Sequence, residues 1–150
     1  MLLSLTIVTP EKKVVKDYGV EWLMMPAADG EVTILPGHTP LLTILVPGTI
    51  LAHSESEDIH FLVTHGFAEI RDNKVSIFAE ILEPASQLDL EKAEKLKVEV
   101  EQIVLNTVLG ELEYAKYMKE LQVAHKRVEI AKLMKDLSYI KRVSSEKKSH

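Results

Sequence analysis

The sequence predicts an N-terminal antiparallel β-sandwich over residues 1–86, followed by a C-terminal antiparallel α-helical hairpin over residues 87–150. Three observations carry this reading. Apolar and polar residues alternate in short runs through the first half, the period of a strand with one buried face. Turn signals then recur at close spacing: Asp29-Gly30, Pro36-Gly37 and Pro47-Gly48 all fall within twenty residues. At Glu83-Pro84-Ala85-Ser86 the apolar period lengthens from two to 3.6, which marks the passage from strands to helices.

Taken in order, Leu3, Leu5 and Ile7 alternate with Ser4 and Thr6 in a first strand, and Thr9-Pro10 ends it. A second strand spans about Val14 to Met25, with Val20, Trp22 and Met24 on one face and Pro26 as its stop. Asp29-Gly30 supplies the positive φ of a tight hairpin turn before Val32–Leu35. The two Pro-Gly pairs each fit a type II turn, with proline fixing φ near −65° and glycine taking the positive φ. Between them Leu41–Val46 reads as a buried strand. Thr49–Ala52, Ile59–Thr64, Phe67–Arg71 and Val75–Ala79 follow, with His53–Asp58 as a polar loop and Asp72-Asn73 as a hairpin turn.

In the second half Asp89 is placed as an N-cap, and Glu91 and Glu94 suit the positive end of a helix dipole. Ala93, Leu96, Val100, Ile103 and Val104 share one face of the first helix. Asn106-Thr107 and Gly110 break it. A second helix begins near Glu111, with Tyr114, Met118, Leu121, His125 and Val128 in one stripe, and continues through Met134, Leu137 and Ile140. The Ser-Lys tail is expected to dissolve it. Two amphipathic helices with a short loop make an antiparallel hairpin.

Charge is unevenly distributed. Residues 1–86 carry 5 Lys/Arg and 12 Asp/Glu, net −7, and residues 87–150 carry 13 and 11, net +2. An acidic first half, with aromatics at only 5%, argues against binding nucleic acid. Without cysteine, disulfides, thiolate metal sites and cysteine nucleophiles are excluded. No apolar run approaches a membrane span, and the opening residues do not form a signal peptide. The chain is therefore expected to be soluble and intracellular, touching a membrane only through a complex.

Nothing in the sequence assembles a catalytic centre. His38, His53, His60, His65, His125 and His150 form no metal-ligand spacing, and no metal site is expected. The phosphate-cradling and nucleophile-elbow motifs are absent. His125 is expected to be a packed histidine on the helix stripe. The basic tail has no adjoining apolar face in this reading, so it is expected to bind membranes weakly.

The stretch Gly30-Glu31-x-x-Ile34-Leu35-Pro36-Gly37-His38-x-Pro40-Leu41-Leu42, closed by Leu45-x-Pro47-Gly48, resembles the signature of the epsilon subunit of F-type ATP synthases. The likeness continues through Gly66-Phe67-x-Glu69-x-x-x-Asn73-x-Val75 and Leu88-Asp89-x-x-x-Ala93, covering nearly the whole chain. It implies a non-catalytic central-stalk subunit that binds the gamma subunit and the c ring. It also implies helices that restrain ATP hydrolysis by extending against the catalytic alpha and beta subunits. The implied place is the cytoplasmic face of a bacterial inner membrane. Glu31 and His38 would then lie at the rotor-facing end of the sandwich. No cofactor is implied, but some members bind ATP as a regulatory ligand, and the matching positions here are Asp89 and Lys92, with Arg127 from the second helix.

Three positions depart from the family pattern. Thr33 and His65 stand where glycine is usual; an extended backbone is expected at Thr33 and a small adjustment at His65. Lys92 stands where the ATP motif has arginine, and lysine cannot make the planar bidentate contact, so only weak ATP binding is expected. The segment beyond Met134 is longer than the family leads one to expect. The alternative function is a free-standing module whose sandwich binds a small ligand and whose helices dimerise.

Overall fold

The computed structural model describes residues 1–11 and 13–148. The chain divides into two compact units, Met1–Pro84 and Ala85–His150.

The first unit contains ten strands: β1 Leu3–Val8, β2 Lys13–Val20, β3 Trp22–Ala27, β4 Gly30–Ile34, β5 Leu41–Leu45, β6 Gly48–His53, β7 Asp58–Val63, β8 Gly66–Arg71, β9 Lys74–Ala79 and β10 Leu82–Pro84. They run as one curled sheet in the order β10-β7-β6-β3-β5-β8-β9-β1-β2, with β4 on β3. Every pairing is antiparallel except β1 with β9, where Leu5 lies opposite Val75 and Ile7 opposite Ile77. The sandwich is thus mixed, with one parallel pair. Its core takes alternate residues from each strand: Leu3, Leu5 and Ile7 from β1, Leu23 and Met25 from β3, Ala68 and Ile70 from β8, Val75 and Ile77 from β9.

The predicted second strand is in fact two. The chain bends at Glu21, whose N–H donates to the His53 carbonyl at 2.7 Å. After the bend the alternation restarts out of phase, so Leu23 and Met25 are buried while Trp22 and Met24 are half-buried. Pro26 does not stop β3. It falls where β3 changes neighbour, since Trp22–Met24 pair with β6 and Ala27 with β5. A residue in that gap owes no N–H to the ladder, and proline is tolerated. The segment Leu82–Pro84, which reaches into the stretch where the apolar period changes, pairs with β7.

The turns divide between two physical causes. Gly30 and Gly37 have φ of 120° and 86°, and Asp72 and Asn73 have 52° and 61°, as their turns require. Gly48 takes no positive φ, contrary to the type II expectation. It opens β6 against Pro26, where a Cβ would stand 2.7 Å from the proline Cβ. Thr33 is extended within β4, and His65 also takes no positive φ. Asp17 does, at 47°, where β1 and β2 slip register. Thr6 Oγ1 accepts its N–H at 3.2 Å, and its carboxylate accepts from the Thr6 and Ser4 hydroxyls.

The second unit holds a 3-10 turn, Ala85–Gln87, and two helices, α1 Leu90–Asn106 and α2 Glu111–Lys148. Asp89 accepts the Lys92 N–H at 3.2 Å and caps α1. The buried residues of the two helices are mostly small: Ala93 and Val100 of α1, Ala124, Val128 and Ala131 of α2, with Ile130 the one large side chain among them. Two expectations fail here. His125 is exposed, because Ala124 occupies the packed face; its ring lies only within 4.0 Å of Glu101. And α2 does not dissolve at Ser144 but runs to Lys148, about 57 Å at 1.5 Å per residue.

Candidate interaction site

Among the described residues no group of His, Asp and Glu could hold a metal ion, and no helix is long and apolar enough to cross a membrane. What the first unit does present is an apolar face. Strands β5, β8 and β9 send alternate residues away from the core, where polar side chains are the rule for a solvated face. Here those residues include Leu42, Ile44, Phe67 and Phe78, with Leu42 70% and Ile44 66% exposed. Ile44 lies opposite Phe67, and Phe67 opposite Phe78. The two rings stack with centroids 4.8 Å apart and planes 20° from parallel. Beside them Val8, Pro10, Gly66 and Ala79 line a shallow cleft of about 360 Å³.

Gly66 holds this face together. A Cβ there would lie 2.0 Å from the Phe78 carbonyl oxygen and 2.9 Å from the Ala79 Cα. Only glycine lets β8 come that close to β9. The apolar run Leu41–Val46 suggested a buried strand, yet Leu42 and Ile44 are uncovered. Sequence reasoning missed the site for that reason. The available signal was an apolar run interrupted only by Thr43 in an otherwise alternating, antiparallel region.

Glu31 and His38 occupy another part of the same unit. Glu31 is exposed on β4, opposite Pro26. His38 is half-buried; its N–H donates to Leu35 O at 3.1 Å, and its Nδ1 lies 2.6 Å from Thr39 O. The preceding Gly37 donates its N–H to Asn73 Oδ1 at 2.7 Å, so the β8–β9 turn fixes the loop that carries His38. No hydrogen bond or ion pair among the described residues joins Glu31 to His38. His53, predicted to lie in a loop, instead ends β6 and ties three elements together. Its Nδ1 meets Asp58, its Nε2 lies 3.5 Å from Glu21, and its ring stacks on Trp22 at 4.9 Å.

The candidate ATP residues are distributed differently. Asp89 is committed as a cap, Lys92 is exposed, and Arg127 is half-buried on α2. A cleft of about 550 Å³ opens at the start of α1, lined by Ser86, Asp89, Glu91, Met134, Lys135 and Ser138 among others. Neither Lys92 nor Arg127 lines it. Two carboxylates and a single cation are a poor setting for a polyphosphate.

A family model described as ATP synthase, Delta/Epsilon chain, beta-sandwich domain matches residues 2–85. The ATP synthase epsilon chain of Nitratidesulfovibrio vulgaris is 35% identical over 128 residues, which is 94% of that protein and 85% of this chain. Two solved structures share the fold. One is a chain of the Euglena gracilis mitochondrial ATP synthase OSCP/F1/c-ring assembly, with TM-score 0.74, 21% identity, and coverage of 83% of this chain and 78% of that one. The other is from the central stalk and c-ring of the Tetrahymena thermophila mitochondrial ATP synthase, with TM-score 0.66, 17% identity, and coverage of 86% and 96%.

Proposed function

The chain belongs to the ATP synthase delta/epsilon family and is a non-catalytic epsilon-type subunit, and we propose that it couples the gamma subunit to the c ring in the central stalk. The sandwich seats on gamma through the apolar face of β5, β8 and β9. Glu31 and His38 meet the polar loops of the c ring. The complex holds the chain at the cytoplasmic face of a bacterial inner membrane. The helices act as a brake on ATP hydrolysis when they extend toward the alpha and beta subunits.

The observation that supports this best is the exposed quartet Leu42, Ile44, Phe67 and Phe78. A contiguous aliphatic and aromatic patch on an otherwise acidic unit marks a protein-binding surface. Aromatic stacking rigidifies it, and covering it contributes about 25 cal/mol for each Å² of apolar surface removed from water. The brake finds support in the α1–α2 seam, whose alanines and valines make a modest interface. Leu96, Met118, Leu133 and Leu137 stay partly exposed and available to a second packing.

Purified full-length chain mixed with the gamma subunit of the same complex should co-elute as a one-to-one species on size exclusion. Separate elution at micromolar concentrations would overturn the assignment.

A further inference from the structure

The last turns of α2 combine two properties that neither unit shows elsewhere. Leu133, Leu137 and Ile140 fall within about 60° of one another at 100° per residue, and all three are exposed, Ile140 by 61%. Tyr139, adjacent to Ile140 in sequence but about 100° round the helix from it, is 64% exposed. Residues 132–148 also hold six Lys/Arg (Lys132, Lys135, Lys141, Arg142, Lys147, Lys148) against Asp136 and Glu146, net +4. The whole chain is −5, so the remainder is −9, and this helix end is its basic pole. The first part of this helix end borders the cleft at the start of α1, which Met134, Lys135 and Ser138 line, and the part beyond Ser138 lies clear of it.

We infer that the C-terminal turns of α2 bind an anionic lipid surface, lying in the interface with the Leu133-Leu137-Ile140 stripe against the acyl boundary and the cations among the headgroups. A helix with an aliphatic stripe and a lysine-rich remainder has the chemistry of an interfacial anchor. The exposed Lys132, Lys135 and Arg142 have long stems that let their charges reach the headgroup layer while the stripe is buried. A bilayer is favoured over an acidic protein because the stripe has only three aliphatic residues. That is narrow for a protein groove, but a fluid interface imposes no shape on its ligand. The −9 on the remaining chain does not forbid it, because charges more than about 8 Å away are largely screened at physiological salt.

In the complex this inference rests on the rotor reading above, which keeps the chain near a membrane. The lipid contact itself can be measured on the free chain. Co-sedimentation of full-length protein with vesicles of phosphatidylglycerol and phosphatidylcholine should retain it, and vesicles of phosphatidylcholine alone should not. Raising the salt should release it. Ile140→Glu should abolish retention with helicity unchanged by circular dichroism. Combined Lys132→Glu, Lys135→Glu and Arg142→Glu should weaken it at least about a hundredfold, at roughly fivefold per cation.

Absence of retention on the anionic vesicles, equal retention on both vesicle types, or retention unaltered by these substitutions would each overturn the proposal. Retention on an acidic protein surface in place of vesicles would overturn it too. Complex formation with gamma is scored separately, so a failure here leaves the rotor assignment standing, and the reverse also holds.

Discussion

Replacing Gly66 by alanine puts a methyl carbon 2.0 Å from the Phe78 carbonyl oxygen, 2.9 Å from the Ala79 Cα and 3.0 Å from the Phe78 carbonyl carbon. All three are backbone atoms, so no side chain can rotate away, and β8 must move off β9 by more than 1 Å. Overpacking in a core costs about 1–3 kcal/mol even when side chains can yield. With a rigid backbone opposite, a cost of about 3 kcal/mol or more is expected, a large part of a typical 5–15 kcal/mol domain stability. For a unit of this size that lowers the melting temperature by more than about 10 °C. Trp22, the only tryptophan, lies in β3, so its emission follows the sandwich and not the helices. Thermal melts of the full chain by Trp22 fluorescence give the readout. Gly110→Ala is the control, because nothing stands within 4 Å of a Cβ there and its φ is ordinary. The same separation would pull Phe67 from Phe78 and weaken gamma binding. A Gly66→Ala protein that melts with the native chain would refute the close-approach argument.

The other expectations concern the helical unit. Asp89→Ala removes the side-chain cap of α1 and should lower its stability by about 1 kcal/mol, seen as faster amide exchange over Leu90–Ala93 with Trp22 emission unmoved. Calorimetric titration with ATP should show no micromolar site, since Lys92 and Arg127 do not line the cleft at Asp89. Lys92→Arg should tighten whatever weak binding exists, and micromolar affinity in the unmodified chain would contradict this. Deleting residues 106–150 should raise ATP hydrolysis by the assembled enzyme with assembly intact. Unchanged hydrolysis would count against the brake.

Local chemistry was the legible part of this fold. Asp72-Asn73 could be read as a turn because two adjacent residues that tolerate positive φ sit between alternating strands. Asp89 could be read as a cap because the apolar period lengthens just after it. What could not be read depended on which segments meet. Gly48 and Gly66 are glycines because Pro26 and Phe78 lie against them, and both partners are distant in sequence. The bend at Glu21 reverses the facing of Trp22 and Leu23, and the pairings of β3 with β6 and β4 fix it. Likewise an apolar run such as Leu41–Leu45 reads the same whether its outer face is buried in the chain or left for a partner. In α2, Ser144 and Ser145 looked like a helix end. No proline or glycine follows Gly110, however, and the helix persists.

Seating of the sandwich on gamma through β5, β8 and β9 is the central claim. Its most direct test is the affinity of gamma for full-length chain carrying Ile44→Lys. As a control Leu105→Lys changes an equally uncovered leucine of the helical unit, 75% exposed. A charge at the centre of the contact should cost about 2 kcal/mol or more, which is at least about a thirtyfold loss of affinity, while the Leu105 variant binds as the native chain does. Native affinity in the Ile44→Lys protein, with its Trp22 melt unchanged, would contradict the account.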